Sequence, residues 1–533
     1  MQQLDHFLDK YPARAFTILL IIALPAFLIN LGLFPLFADE PTRANVALEM
    51  ILSKNYAVPT IGGEYYYNKP PLYNWILAGF YLITGSYSEF VTRLPAVIPL
   101  FLFAITIYIS VNYFLRNKKI AVLSGLLMLV NGRMLIYDSM LGHIDIFYSW
   151  LTFISFMLIF YFYQRKKWFW LFFFSYTLTA ITFLCKGLPS IVFQGLTIIS
   201  LLIYTKNFKK LFSWQHIVSG LLCLLIIGAY FFNYYQYNPN LKGYLETIWS
   251  QSSQRTVANH SGRDTIYYIL QFPFEHLMHL FPASMFALFC FNRLFWKTLM
   301  ANDFLKFITI IFFANIWVYW LSPDTRPRYL IMLYPLLYIV WSHAYYTYRD
   351  QLPKLYKAFN WILLSLGILV TMAVLMLMTT DFYTYISAFY YKLVIVFLGC
   401  ALFTFLIFKL VNNKVLAFAG LLLVVRLGFS WFIIPNRLQT SLEETGSKKA
   451  AIEMGTISKD APFYFYQYHP DVHSIPFHDR LIFYIERTRQ RKVKFIETDS
   501  KPGYYFTFDR NLKNPKAILL KKYLNGLQLF QVK

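Results

Sequence analysis

The stretch Ala15–Ala38, A-F-T-I-L-L-I-I-A-L-P-A-F-L-I-N-L-G-L-F-P-L-F-A, carries no charged residue and runs directly into Asp39-Glu40-Pro41. As one helix rising ~1.5 Å per residue it would cross the ~30 Å hydrocarbon core of a bilayer. Lys10 and Arg14 lie just ahead of it, and Leu36-Phe37-Ala38 lacks the small-x-small exit of a cleaved leader. The run therefore reads as a retained signal anchor. Further apolar runs continue to about residue 435. They predict thirteen spans near 15–37, 91–114, 120–137, 146–163, 168–184, 189–204, 214–235, 276–292, 304–321, 329–347, 358–380, 389–408 and 415–434.

Composition agrees. Of 533 residues 58% are hydrophobic, 20% aromatic and only 14% charged. A soluble protein of this size has no interior for that surplus, and a disordered chain has few aromatics and many charges. The fold class is an α-helical polytopic membrane protein. The net charge of +23 is concentrated in alternate short loops, such as Arg116/Lys118/Lys119, Arg165/Lys166/Lys167, Lys206/Lys209/Lys210, Arg293/Lys297 and Arg349/Lys354/Lys357. The positive-inside rule puts these loops and the N-terminus in the cytoplasm. No nucleic-acid recognition motif accompanies the charge, so it signals topology.

Residues 1–435 thus form the membrane domain, with a long outer loop at 38–90. Residues 436–533 change composition and predict a small soluble α/β domain on the outer side. In it Ser441–Gly455 reads as a helix, and Pro462–Gln467, Leu481–Glu486 and Tyr504–Phe508 read as strands. Cys185, Cys223, Cys290 and Cys400 lie in or beside apolar runs without CxxC or zinc spacing, and read as buried small side chains.

Function concentrates in long loops on one face of such a scaffold. In loop 38–90, Asp39 can cap a helix with Pro41 in its first turn. Val46, Ala47, Met50 and Ile51 then share a face suited to lying flat on the membrane. After Gly62-Gly63 come Tyr65-Tyr66-Tyr67-Asn68-Lys69-Pro70-Pro71, then Leu72, Trp75, Ile76, Gly79, Phe80 and Ile83 at helical spacing. From these residues alone, Asp39 reads as a cap or a functional acid, and Lys69 as a snorkelling side chain or a phosphate contact.

The string Ala38-Asp39-Glu40-Pro41, Tyr66-Tyr67-Asn68-Lys69-Pro70-Pro71-Leu72-Tyr73-Asn74-Trp75 and Arg93-Leu94-Pro95 resembles the first outer loop of the GT-C glycosyltransferases. In particular it is similar to the lipid A aminoarabinose transferases and their bacterial relatives in the protein O-mannosyltransferase-like group. The specific motifs cover roughly the first 200 residues, and the remainder matches in layout. The resemblance implies an inverting transfer of a sugar from a polyprenyl phosphate (undecaprenyl phosphate in bacteria) to a lipid A, surface-glycan or protein acceptor. It implies a multi-pass inner-membrane protein with a periplasmic C-terminal domain. It implies Asp39 and Asp145 as catalytic carboxylates. Lys69, Tyr66, Arg326, Arg328 and Tyr329 would bind the donor and its phosphate, with Glu40, Arg43 and His143 in support. Cys185-Lys186-Gly187-Leu188-Pro189 resembles the family's TKG-P stretch. Two departures stand out. Thr42-Arg43 displaces the family arginine by one position, about 100° round a helix. Asn68 replaces the glutamate before the KPP lysine. The resemblance leaves a divalent metal open, while no three-ligand spacing supplies one.

Other signals have bland readings beside sharp ones. His469-Pro470-Asp471-Val472-His473 reads as a solvated loop or a metal-binding face. His143 reads as an interfacial histidine or a partner of Asp145. Arg426 lies inside an apolar run and reads as functional or snorkelling. The aromatic stripe Phe169–Phe174 reads as packing surface. Rival classes are a lipid-linked-sugar flippase, which lacks its usual paired halves here, and a glycan polymerase or ligase using Tyr237–Glu275 with Arg255, His260 and Arg263.

Overall fold

The computed structural model describes residues 1–253, 262–323, 325–466, 475–508 and 512–533. Arg255, His260 and the His469–His473 motif lie outside the described residues. Among the described residues, eight helices are long and apolar enough to cross a membrane, and ten if two bent pairs count as single spans. One bent pair joins Gln2–Lys10 to Pro12–Leu28 at 99°; the other joins Lys118–Val130 to Gly132–Met140 at 46°. The second break has a local cause, since the Asn131 side chain accepts from Met134 N and caps a new helix. The remaining three of the thirteen expected spans are shorter. Pro189–Tyr204 is a helix of 16 residues, and Tyr334–Tyr348 is one of 15. The run 276–292 holds the end of one helix and a 3₁₀ segment, Ala283–Cys290. Apolar composition alone does not register where capping residues and prolines such as Pro282 interrupt a helix.

Seven helices position the site: α1 (Glu40–Ser53), α2 (Leu72–Thr84), α3 (Glu89–Leu115), α4 (Ile144–Gln164), α5 (Trp168–Lys186), α6 (Leu442–Ile457) and α7 (Ile475–Arg489). The expected surface-lying helix is a correction. Every residue of α1 from Glu40 to Met50 is buried. The helix has apolar residues on more than one face, and two partners cover them. Ala47 packs with Leu77, Ala78, Tyr81 and Val91 of α2 and α3. Ala44 and Leu48 join Ala451, Met454, Leu481 and Ile485 of the C-terminal domain.

That domain carries a five-stranded mixed sheet formed by β1 (Phe463–Tyr466), β2 (Lys494–Ile496), β3 (Gly503–Phe508), β4 (Ala517–Lys522) and β5 (Leu527–Val532). Its order is β2-β1-β3-β5-β4, with β1 parallel to β2 and β3, and β5 antiparallel to β3 and β4. The expected helix 441–455, and strands at 462–467 and 504–508, correspond to α6, β1 and β3. The expected strand Leu481–Glu486 is instead the middle of α7. All six of its residues are buried, and a short apolar run buried all round has no periodicity to separate strand from helix.

Candidate active site

The Asp39 carboxyl sits at the N-cap position of α1 yet makes no cap hydrogen bond. It accepts from Arg328 Nη2 instead, with Arg326 Nη1 at 3.9 Å. The carboxyl is 44% exposed and Arg326 61% exposed, whereas Arg328 is buried. Burial opposes ionisation of Asp39, but Arg328 and its neighbouring positive groups outweigh it and hold the carboxyl below its usual range. His143 accepts from Arg328 Nη1 through Nδ1 at 3.3 Å. Burial, reinforced by the Arg328 charge, lowers the His143 pKa and favours the neutral, accepting ring.

Arg328 also joins the two carboxylates that the sequence singled out. Its Nε lies 3.4 Å from Asp145 Oδ2, and Asp145 Oδ1 accepts from Lys186 Nζ at 2.5 Å. The result is a line of alternating charge, Asp39–Arg328–Asp145–Lys186, joining separate regions of the chain. Asp145 stands in the first turn of α4, where the helix dipole favours a carboxylate. Lys186 is the last residue of α5, and its ammonium lies over the rings of Tyr329 at 4.4 Å and Tyr148 at 4.9 Å. Gly187 follows with φ +83°, a left-handed backbone that lets the chain leave the helix there.

Lys186 and Lys69 both line a cavity of about 400 Å³. Its walls are largely apolar, from Leu188, Pro189, Val192, Trp317, Val318 and Leu321, with Tyr329, Ser322, Thr325 and Gln251 supplying polar groups. Lys69 Nζ donates to Gln251 Oε1 at 2.9 Å. Two ammonium groups on an apolar cavity suit an anionic head on a hydrocarbon tail.

The expected supporting residues divide. Glu40 is fully buried and braces the backbone: it accepts from Arg93 Nε at 2.8 Å, Arg93 Nη2 at 2.9 Å and Gly142 N at 2.6 Å. Arg93 in turn donates to the carbonyls of Leu31, Phe34 and Pro35. The glutamate of the Asp-Glu-Pro motif and the arginine of Arg-Leu-Pro are thus one buried bidentate pair. It fixes the exit of the first span and the turn before α4. Arg43 lies over the Tyr66 ring at 5.5 Å, and its charge is among those that favour the ionised Asp39. Lys186 and Gln251 had no assigned role in the sequence. The Cys185-Lys186-Gly187-Leu188-Pro189 stretch, with its family resemblance, was the visible signal for the first; nothing marked the second.

Among the described residues no three of His, Cys, Asp and Glu converge to hold an ion. Asp39 and Asp145 face each other across Arg328, so this group does not fit a divalent cation.

These features define a multi-pass membrane protein with charged residues meeting an apolar cavity. Comparison with known proteins specifies the class. The family model described as dolichyl-phosphate-mannose-protein mannosyltransferase matches residues 68–231. ArnT from Cupriavidus metallidurans, solved bound to undecaprenyl phosphate, superposes with a TM-score of 0.69 at 17% identity, covering 96% of this chain and 97% of that one. An uncharacterized protein of Aquifex aeolicus is 24% identical over 329 residues, 61% of this chain and 63% of its own. The undecaprenyl phosphate-alpha-4-amino-4-deoxy-L-arabinose arabinosyl transferase 2 of Proteus mirabilis is 32% identical over 114 residues, 20% of each chain. The chain therefore matches less than two thirds of the length of either curated relative. At 17% identity the structural likeness shows the fold: the chain has the fold of the Cupriavidus ArnT.

Proposed function

We propose that the protein is an inverting glycosyltransferase that takes a sugar from undecaprenyl phosphate and passes it to an acceptor at the outer face of the bacterial inner membrane. Lipid A, a surface glycan and a protein are the acceptor classes. The observation that carries this reading is the Asp39–Arg328–Asp145–Lys186 line, ending at a cavity with two lysines and apolar walls. The family match over 68–231 and the undecaprenyl phosphate named for the Proteus and Cupriavidus proteins support the donor class.

The donor needs no nucleotide. Its leaving group is a lipid monophosphate that gains a full negative charge as the sugar–oxygen bond breaks. Lys69 and Lys186 take that phosphate while Leu188, Val192 and Trp317 hold the start of the polyprenyl tail. Fixed cations at a partly desolvated site stabilise developing charge more than water does. Lys186 and Arg328 are already partnered by Asp145, so Asp145 orients them. Asp39 is ionised at neutral pH and below the pKa range that best suits a general base. It orients an acceptor. Alternating basic loops support a cytoplasmic N-terminus and an outer C-terminal domain.

Mass spectrometry of whole lipid extracts from wild type, a deletion strain and Asp39→Asn tests the reading. The expected result is a polyprenyl-phosphate sugar accumulating in both mutants, with one glycan or glycolipid losing the matching mass. Lipids altered by the deletion but normal in Asp39→Asn would remove Asp39 from the chemistry and favour a flippase.

A further inference from the structure

The segment carrying Asp39 is held on both sides by one helix that lies more than 430 residues away in the chain. Before Asp39, the Leu36 backbone is gripped at both of its polar atoms. Leu36 N donates to Tyr484 Oη at 2.9 Å, and Arg480 Nε donates to Leu36 O at 2.8 Å. After Asp39, Thr42 Oγ1 donates to Asp479 Oδ2, and Asn45 Nδ2 donates to Asp479 O at 2.6 Å. All three partners belong to α7 of the C-terminal domain and are buried. Tyr484 Oη in turn donates to Glu89 Oε1 at 2.9 Å, which ties the same grip to the start of α3. Glu89 is further held by Lys448 at 2.5 Å and Arg487 at 3.3 Å. A second strap lies farther along the loop. Lys492 Nζ reaches Glu49 Oε2 at 3.2 Å, and Phe495 N donates to Gly62 O at 3.4 Å. Gly62 has φ +61°, and any Cβ there would collide with the Phe495 ring.

We propose that α7 is a positioning element for the Asp39 carboxylate, with Arg480 and Tyr484 as positioning residues acting through the Leu36 backbone. The C-terminal domain is on this view part of the catalytic frame. Asp39 lies three residues beyond Leu36 and three before Thr42, so a displaced Leu36 turns its carboxyl away from Arg328. The inference rests on the role given to Asp39 above. Misplacing a reacting group by ~1 Å costs about 10²-fold in rate, while the donor cavity, lined by Lys69, Lys186, Trp317, Ser322 and Tyr329 among others, has no α7 residue among its described lining.

The test uses the full-length protein with Arg480→Met, Arg480→Lys and Tyr484→Phe, and three readouts. Sugar transfer in cells is read by the lipid mass change. Binding of undecaprenyl phosphate alone is titrated in nanodiscs. In a Cys290→Ser background, Asp39→Cys reports its own surroundings through the pH dependence of iodoacetamide alkylation. Beside Arg328 the introduced thiol titrates below the usual value of about 8.5. The expected result is that Arg480→Met and Tyr484→Phe slow transfer by about 10²-fold. Affinity for undecaprenyl phosphate stays within about twofold, and the alkylation midpoint of the introduced thiol moves back toward about 8.5. Arg480→Lys, which keeps a donor, recovers part of each loss. An unchanged alkylation midpoint in both variants overturns the proposal. So does joint loss of lipid binding and folded protein, which would make α7 a structural brace only. Because the alkylation profile is read without substrate, it tests the grip even if Asp39→Asn proves active and the transferase reading falls.

Discussion

Arg93 and Glu40 show how a single pair decides where the chemistry can sit. Both are fully buried, and five hydrogen bonds from the guanidinium serve the carboxylate and three backbone carbonyls. Removing one partner of such a pair leaves the other charge buried and costs about 3–5 kcal/mol. Arg93→Met is therefore expected to lower the thermal unfolding midpoint of the detergent-solubilised protein strongly, and a scan indistinguishable from wild type would contradict it. Lys186 belongs to the ligand. Hydrogen bonds to charged groups contribute about 1.5–3 kcal/mol, so Lys186→Met is expected to weaken undecaprenyl phosphate binding by roughly 10- to 100-fold. Isothermal titration in nanodiscs measures this directly. Asp39 gives a pH signature. Its folded pKa lies below its ordinary value, so its stabilising pair with Arg328 is complete above the ordinary carboxylate range and is lost as pH falls through the lower folded value. Melting of wild type should exceed that of Asp39→Asn at about pH 7, and the gap should close in strong acid.

At the scale of elements, α1 is the piece that sequence periodicity misplaced. Its apolar face was legible, but a helix lying on lipid and one clamped between two protein layers show the same pattern over its 14 residues. What separates them is the polar set Thr42, Asn45 and Glu49, whose partners include Asp479 and Lys492, remote in sequence. Asp479 is the sensitive point of that contact. Burial pushes its carboxyl up to about 7, against the hydrogen bond from Thr42 and the charge of Arg43. The folded state therefore binds more protons than the unfolded chain between about pH 4 and 7, and stability from this group falls as pH rises through that window. Asp479→Asn is expected to melt above wild type at about pH 8 and to match it near about pH 4; the reverse order would show that the carboxylate is paired and ionised.

For the whole molecule, the membrane helices and the C-terminal domain share one buried layer. Leu36, Ala44 and Leu48 of the first loop are part of the core that holds Met454, Leu481 and Phe506. A chain ending after Thr440 would expose that layer and leave Glu89 without Lys448, Arg487 and Tyr484. Such a truncation is expected to insert into the membrane but to lose transfer completely, read by the lipid mass change beside a membrane-fraction immunoblot. The inner-to-outer arrangement is checked on the same scale. A cysteine placed at Lys516 should react with a membrane-impermeant maleimide from outside, and one at Lys118 should not.

The sequence by itself determined the membrane class and most of the spans, and its resemblance to a known family pointed to Asp39, Lys69, Asp145 and Arg328 as the residues to look at. Charge-free runs long enough for a bilayer admit one solution, because backbone polar groups in lipid must be satisfied within a helix. The motif residues were legible through the family resemblance of their strings, since spacing alone reads Asp39 equally as a helix cap and Lys69 as a snorkelling side chain. The tertiary structure alone decided which charges meet. It joined Asp39 to Arg328 across 289 positions and Asp145 to Lys186 across 41. It turned Glu40 into a brace, and it turned Leu481–Glu486 from an expected strand into part of the helix that grips Leu36. None of these contacts has a local sequence signal. An ion pair or a buried side-chain hydrogen bond forms wherever packing brings its partners within about 3 Å, and packing is a property of the assembled chain.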